Sequence, residues 1–486
     1  MTTETSAPED GALDTSVNGL RRDSPVFSAA VTATGRQRLT LLLIVAVLVV
    51  LFIRYPTGTL VAAITGAMIV YLVTLADRLY LFLQGLNNKP AMRVGDEEAL
   101  ALSDDELPVY TVLLPAFKEH DIVHDLLRGV GQLDYPRDKL DIRLLLEADD
   151  TDTISAAAES EAAELVEIVL VPVAEPRTKP KACNYGLVDA RGELVTIYDA
   201  EDIPDPLQLR RVVAAFRKVP SDVACIQAML KYHNVRQNLL TRWFASEYDQ
   251  WFGYTLPGLM KDASPIPLGG TSNHMRMETL AEVGGWDPFN VTEDADVGIR
   301  LARLGYSTAV LDSVTYEEAN SDPINWIRQR SRWYKGYLQT FLVHTRHPVQ
   351  LWRQLGTRGV LRFAGLTAGT PAVTLVNSVF WLITLAWLFA QPTFIRNLFP
   401  PFAYYAALVS LLLGNAAIVY MGVIAARADR KPQLAGAALL APLYWILMAT
   451  AAVKAFVQLI FYPSYWEKTH HGLHLRRRHL PQSAPP

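Results

Sequence analysis

Apolar and polar positions divide the chain into three regimes. Residues 1–38 are rich in Ser, Thr, Asp and Gly and show no apolar period, which predicts a disordered N-terminal segment. Leu39 to Ile53 is almost unbroken apolar sequence, and Thr57 to about Leu75 is a second such run. Each approaches the ~20 residues that cross the apolar core of a bilayer. Arg54-Tyr55-Pro56 makes a short turn between them, so residues 39–85 read as a transmembrane helical hairpin. A buried pair of soluble helices is the competing reading, and it suits runs this long and apolar less well. No secretory leader is expected, because the first apolar run begins late and lacks a small-residue cleavage site.

From Val109 to about Gln339 the pattern changes to short apolar runs separated by helical stretches, placing a domain at 100–340. Tyr110–Leu114, Ile142–Leu146, Val166–Val171, Leu194–Tyr198 and Val223–Gln227 are predicted strands. Ile122–Gln132, Ala156–Leu165, Lys181–Ala190 and Pro206–Lys218 are predicted helices. Such alternation implies a mostly parallel α/β sheet with helices on both faces. Ligands of these sheets bind at the carboxyl ends of the strands. Three polar clusters fall there: Pro115-Ala-Phe-Lys-Glu119, Glu147-Ala-Asp-Asp150 and Asp199-Ala-Glu-Asp202.

Beyond Trp352 the chain is apolar again, with membrane candidates at Phe363–Ala390, Phe402–Ile424 and Leu434 to about Phe461. Residues 341–462 thus read as interfacial and transmembrane helices, and 463–486 as a basic tail. Arg21, Arg22, Arg36 and Arg38 precede the first hairpin, and Arg78, Lys89 and Arg93 follow it. Positive flanks put the N-terminus and the domain in the cytoplasm, which implies a multi-pass protein of the cytoplasmic (inner) membrane. Three later crossings would place the tail outside, yet His474-Leu-Arg-Arg-Arg-His479 is strongly basic and favours the inside. The last apolar stretch contains Pro442 and Lys454. It therefore reads as something other than one simple span, with Val453–Phe461 a candidate for the interface.

Composition narrows the picture only slightly. Half of the 486 residues are hydrophobic, high for a soluble enzyme, and the excess lies in the first and last regimes. A net charge of -4 gives no reason to expect a nucleic-acid partner. Cys183 and Cys225 cannot build a disulfide framework and have no Cys or His at metal-ligand spacing, so they read as reduced core residues.

The chemistry concentrates in acidic clusters and one basic-aromatic motif. Val291-Thr-Glu-Asp-Ala-Asp-Val297 carries three carboxylates in four residues before an apolar-periodic run, and helix capping alone would account for it. Asp199, Glu201 and Asp202 could hold a divalent cation, Mg²⁺ or Mn²⁺, that bridges diphosphate oxygens. An acidic loop capping the helix near Pro206 is the plainer alternative. Lys179 and Lys181 could neutralise phosphate, although each alone is more often a solvated charge. In Gln329-Arg-Ser-Arg-Trp333, Arg332 can fork onto phosphate oxygens and Trp333 offers a flat face for a sugar. For Trp333 taken alone, an interfacial anchor is the commoner role.

The order of these pieces carries more than any one of them. Pro115-Ala-Phe-Lys-Glu119, Asp149/Asp150, Asp199-Ala-Glu-Asp202, Gly269-Gly-Thr-Ser-Asn-His274, Thr292-Glu-Asp294 and Gln329-x-x-Arg332-Trp333 resemble the membrane-embedded family 2 glycosyltransferases. These include the cellulose and hyaluronan synthases. Pro463-Ser-Tyr-Trp-Glu-Lys-Thr469, followed by His471-Gly472, resembles the tail of a bacterial subgroup. The resemblance implies a GT-A-type nucleotide-sugar-binding domain inserted between transmembrane helices. It further implies inverting transfer from a nucleotide-diphosphate sugar, expected to be UDP-linked, to a growing β-glycan, with or without export. Transfer of one sugar to a lipid-linked acceptor is the alternative, and a non-catalytic nucleotide-binding receptor a remoter one. By the same resemblance Asp294 is the general base. Glu119, Asp149, Asp150, Lys181 and Asp199 bind the donor, and Asp199, Glu201 and Asp202 hold the metal. Gly270, Thr271, Glu293, Gln329, Arg332 and Trp333 meet the diphosphate and the acceptor. The family's metal motif is usually Asp-x-Asp, whereas here Asp199 and Glu201 occupy it with Asp202 following, so which carboxylate coordinates stays open.

Overall fold

A computed structural model describes residues 7–88, 91–463 and 465–467. Lys89 and the basic run 474–479 lie outside the described residues, as does most of the expected tail. The strands are β1 (Tyr110–Ala116), β2 (Leu140–Glu147), β3 (Glu167–Val171), β4 (Leu194–Ile197), β5 (Ile203–Pro204), β6 (Val223–Tyr232), β7 (Asn273–Arg276) and β8 (Ser307–Glu317). They form one eight-stranded sheet in the order β3-β2-β1-β4-β7-β6-β8-β5. β3, β2, β1 and β4 run parallel, as do β6 and β8. β7 is antiparallel to both its neighbours and β5 to β8, which makes the sheet mixed.

Both faces of the sheet are buried because its strands are apolar at successive positions. Tyr110, Val112 and Leu114 enter one core with Ile142, Leu144 and Leu146, while Leu113 and Leu145 enter the other. β8 escapes the apolar-run reading because Asp312 and Ser313 interrupt it where its register against β6 shifts. β7 is hidden in the polar sequence Asn-His-Met-Arg.

Helices that position the site are α1 (Ala7–Asp23), α2 (Gly35–Arg54), α3 (Pro56–Asn88), α4 (Lys179–Gly186), α5 (Leu239–Gln250), α6 (Leu256–Lys261), α7 (Glu293–Arg303) and α8 (Pro323–His344). After them come α9 (Pro348–Ala364), α10 (Thr370–Ala390), α11 (Pro401–Val409), α12 (Asn415–Ala428), α13 (Pro432–Leu439) and α14 (Ala441–Phe461). Wide π-helical turns at Trp251–Thr255, Gly365–Gly369 and Ser410–Gly414 join α5 to α6, α9 to α10 and α11 to α12.

The N-terminal segment differs from the disorder expected of it. Val17 and Leu20 of α1 are buried, and Asn184 Nδ2 donates to the Ser16 carbonyl at 3.1 Å. Arg346 then gathers the carbonyl oxygens of Pro25, Val26 and Ser28 at 2.9–3.0 Å. Two well-spaced apolar side chains and a set of backbone acceptors suffice to dock a segment that is polar on average.

Five helical stretches among the described residues are long and apolar enough to cross a membrane: Gly35–Arg54, 56–87, Pro348–Ala390, Pro401–Ala428 and Ala441–Phe461. α3 meets the domain closely. A Cβ on Gly85 would lie 2.0 Å from the Tyr254 carbonyl oxygen, and one on Gly258 2.2 Å from that of Leu81. The last apolar stretch is broken at Leu440, just before Pro442, into α13 and α14. α14 lies along α8: its Tyr444 packs on Trp326, and the Pro463 carbonyl beyond its far end accepts from Gln339 at 2.9 Å.

Candidate active site

The carboxyl ends of β1, β4, β6 and β8 open into one cavity of about 590 Å³. Of the residues singled out in the sequence, Glu119, Asp199, Glu201, Gly270, Thr271, Glu293, Asp294, Gln329, Arg332 and Trp333 line it. They come from five separate segments, and the sheet edge together with α7 and α8 brings them together.

Asp199 follows β4, and its carboxylate pairs with Lys179 Nζ at 2.5 Å. Lys179 begins α4 and also donates to the Gly270 carbonyl at 2.7 Å. Burial disfavours its charge, but the Asp199 and Glu293 carboxylates more than compensate and hold the ammonium above its usual range. Asp202 has a different setting. It is buried, accepts from the Asp199 amide at 2.7 Å and from the Thr271 hydroxyl, and does not line the cavity. Its second oxygen is buried without a partner among the described residues, and burial next to Asp199 pushes its carboxyl up to about 8.

Lys181 sits away from the cavity. It is fully buried, with its ammonium 2.7 Å from Glu147 and bonded to the Pro172 and Ala174 carbonyls. Three acceptors already satisfy it, so its charge secures the end of β2 and the loop after β3 instead of facing a ligand. Asp149 pairs with Arg177 at 2.8 Å, and Asp150 accepts from the Lys118 amide at 2.5 Å. Neither lines the cavity itself, although Arg177 does.

Glu293 and Asp294 occupy the first turn of α7, where the helix dipole favours negative charge. Burial and the adjacent Asp294 push Glu293 up to about 8, and burial also raises Asp294. Lys179 and Arg332 oppose both shifts. Asp296, in the same turn, is turned into the protein. Its carboxylate binds Arg300 Nε at 2.8 Å and His344 Nε2 at 2.9 Å, so it ties α7 to α8. The three carboxylates that look equivalent in sequence thus divide into two at the cavity and one anchor.

On α8, Gln329, Arg332 and Trp333 stand at i, i+3 and i+4 and share one helix face. Among the described residues Gln329 Oε1 and Arg332 Nε are buried without partners, two polar atoms suited to a ligand. Arg332 lies over the Trp466 ring at 4.8 Å, and Trp333 stacks on Tyr248 at 6.2 Å. Arg330 also lines the cavity and grips Glu247 with two bonds of 2.7 and 2.6 Å. Trp381, Trp387, Tyr404 and Tyr405 of the later apolar helices do not line this cavity.

Lys179 and Glu317 are cavity residues that sequence reasoning underweighted or missed. Lys179 shared its signal with Lys181, and only the start of α4 separates them. Glu317 ends β8, 8% exposed, on a strand that the apolar pattern did not disclose.

Among the described residues no group of three His, Cys, Asp or Glu side chains could hold a metal by itself. A divalent cation that takes one or two carboxylates and completes its shell with phosphate oxygens and water fits the donor set of Asp199 and Glu201.

Residues 108–336 match the family model described as glycosyltransferase like family 2. The chain is 25% identical over 236 residues to a probable glycosyltransferase, YdaM, of Bacillus subtilis (strain 168), covering 48% of this chain and 56% of that one. It is 27% identical over 250 residues to glucomannan 4-beta-mannosyltransferase 1 of Oryza sativa subsp. japonica, covering 49% and 47%. The chain therefore spans about half the length of these curated relatives. Among solved structures, the mannosyltransferase PcManGT from Pyrobaculum calidifontis, in complex with GDP-Man and Mn²⁺, superposes with a TM-score of 0.50 at 20% identity. That match covers 83% of this chain and 99% of the other. Residues 108–336 thus form a glycosyltransferase domain of the family 2 type on a GT-A-like mixed sheet.

Proposed function

We propose that the protein is a membrane-embedded inverting glycosyltransferase that moves a sugar from a nucleotide-diphosphate sugar to a β-linked glycan. The observation that carries this reading is the single cavity that gathers Asp199, Glu201, Asp294, Arg332 and Trp333 at the carboxyl edge of the sheet. The nucleoside end of the donor lies toward Glu119 and the Asp149/Asp150 turn, and the diphosphate toward Lys179 and Arg332. Asp294 accepts the proton of the acceptor hydroxyl, whose oxygen attacks the anomeric carbon from the face opposite the diphosphate. The bond from that carbon to the diphosphate oxygen breaks, and its electron pair leaves with the nucleoside diphosphate. Configuration inverts, so an α-linked donor gives a β-linked product. Arg332 and Lys179 offset the charge that grows on the leaving group, and Trp333 with Tyr248 forms a flat wall for a sugar ring. Mg²⁺ or Mn²⁺ at Asp199 and Glu201 supplies further charge neutralisation when bound. Asp202 shapes the loop beneath.

The membrane reading rests on the apolar helices. α2, α3, α10 and the pair α11–α12 serve as four crossings, and α14 lies against the domain alongside α8. That arrangement returns the end of the chain to the side of the domain, reconciling the basic tail with the charge rule.

Purified protein in lipid should release nucleotide diphosphate from one of a panel of donors that includes GDP-mannose and the common UDP-sugars, and chelation should abolish release. No release from any donor, with and without Mg²⁺ or Mn²⁺, would contradict the proposal.

A further inference from the structure

Beyond the residues proposed for the donor, the cavity continues between α3, α10 and α12, where Tyr71, Arg78, Thr370 and Asn377 line it. These polar side chains sit among helices that are otherwise apolar, and such residues mark pathways or binding sites when they face a cavity. The partners of Arg78 can be traced. One terminal nitrogen donates to Thr370 Oγ1 at 2.8 Å, and no carboxylate among the described residues lies within ion-pair distance of its guanidinium. Glu247 acts on it from further away, but that carboxylate is held by both nitrogens of Arg330 and by the Tyr444 hydroxyl at 2.8 Å. Asp77, its neighbour in sequence, pairs with Arg362. Tyr71 is 1% exposed, and its hydroxyl has no partner among the described residues. Asn377 is 7% exposed.

A guanidinium without a counter-ion among the described residues, in a cavity that the Tyr71 hydroxyl and the Asn377 amide also line, is a receptor for an oxyanion. Its place in the cavity says which substrate carries that group. Tyr337 lies within electrostatic range of both Asp294 and Arg78, which places Arg78 near the proposed base, while the groups proposed for the donor's diphosphate are Lys179 and Arg332. We infer that this lobe is an acceptor subsite in which Arg78, Tyr71 and Asn377 bind an anionic oxygen group, a phosphate or a carboxylate, carried by the acceptor. The inference rests on the transferase reading above and adds the chemical class of its second substrate.

Equilibrium binding to the full chain in detergent, followed by native mass spectrometry, tests this separately from turnover. The probes are a polyprenyl phosphate against the free polyprenol, and a uronate-bearing tetrasaccharide against its neutral counterpart. In at least one pair the anionic member should bind tenfold or more tightly. The pair that shows the preference identifies the source as a lipid-linked or a polymeric acceptor. Arg78→Gln should erase the preference and Arg78→Lys should keep most of it. Equal binding within both pairs, or a preference that survives Arg78→Gln, would overturn the inference. So would an equal weakening of charged and neutral probes, which is the signature of a merely structural arginine. Absence of donor turnover alongside a preference that depends on Arg78 would instead sink the transferase reading and leave the anion site standing.

Discussion

Glu293 and Asp294 share the first turn of α7 within the fields of Lys179 and Arg332, so their protons are not taken up independently. A base must be ionised to act, and burial has raised Asp294 from the ordinary carboxylate value of 3.8. Turnover should therefore fall on the acid side as pH drops through this raised value, above the pH at which an exposed aspartate takes its proton. Glu293 is pushed higher than Asp294 and already holds its proton where Asp294 titrates, so Glu293→Gln, which mimics that neutral form, should leave the acid limb of the kcat profile in place. A limb displaced to lower pH would show that Glu293 is ionised beside the base. Arg332→Ala should lower nucleotide release roughly 10²–10³-fold, the usual cost of one lost group at a developing charge. The residues that were legible in the sequence, Asp294 and Arg332 among them, sit in short motifs, one opening α7 and the other on a single face of α8. Arg78, Glu247 and Glu317 were not legible, because each faces the cavity only through tertiary packing between segments far apart in the chain.

The elements that hold α7 in place matter as much as its carboxylates. α8 crosses the start of α7 at Gly336, where a Cβ would lie 2.3 Å from the Thr292 hydroxyl oxygen. Gly336→Ala must push the helices apart, and overpacking of this kind costs about 1–3 kcal/mol. The same displacement moves Asp294 relative to Arg332, so kcat should drop tenfold or more while nucleotide affinity changes less. Asp296 is the second fastening. Asp296→Asn weakens a fully buried carboxylate that serves both Arg300 and His344, and loss of one partner in such a network costs about 3–5 kcal/mol. Chemical denaturation would read this directly. The apolar runs that became β1, β2 and β4 were plain in the sequence because both sheet faces are buried. α1 and β8 were not, since a docked polar helix and a bulged strand share no simple apolar period.

At the scale of the whole molecule, the path of α14 distinguishes four crossings from five. Cys183 and Cys225 are buried, so cysteines introduced elsewhere can be labelled against little background. In sealed vesicles, an impermeant maleimide should reach Tyr462→Cys from the side that reaches Asp10→Cys, and Asn397→Cys from the opposite side. Labelling of Tyr462→Cys together with Asn397→Cys would make α14 a span. The apolar stretches were visible from the sequence, but the orientation of the last one was not. It depends on the pairing of Tyr444 with Glu247 and Trp326, and of Gln339 with Pro463, none of which leaves a local signal.

Assignment of Asp294 as the base is tested most directly by comparing Asp294→Asn with the unmodified protein on whichever donor supports release. The substitution keeps the shape of the side chain and removes its ability to accept a proton. Transfer should fall by about 10²–10⁴-fold, with binding of the nucleotide diphosphate retained. Transfer by Asp294→Asn within about threefold of the unmodified protein would contradict the assignment.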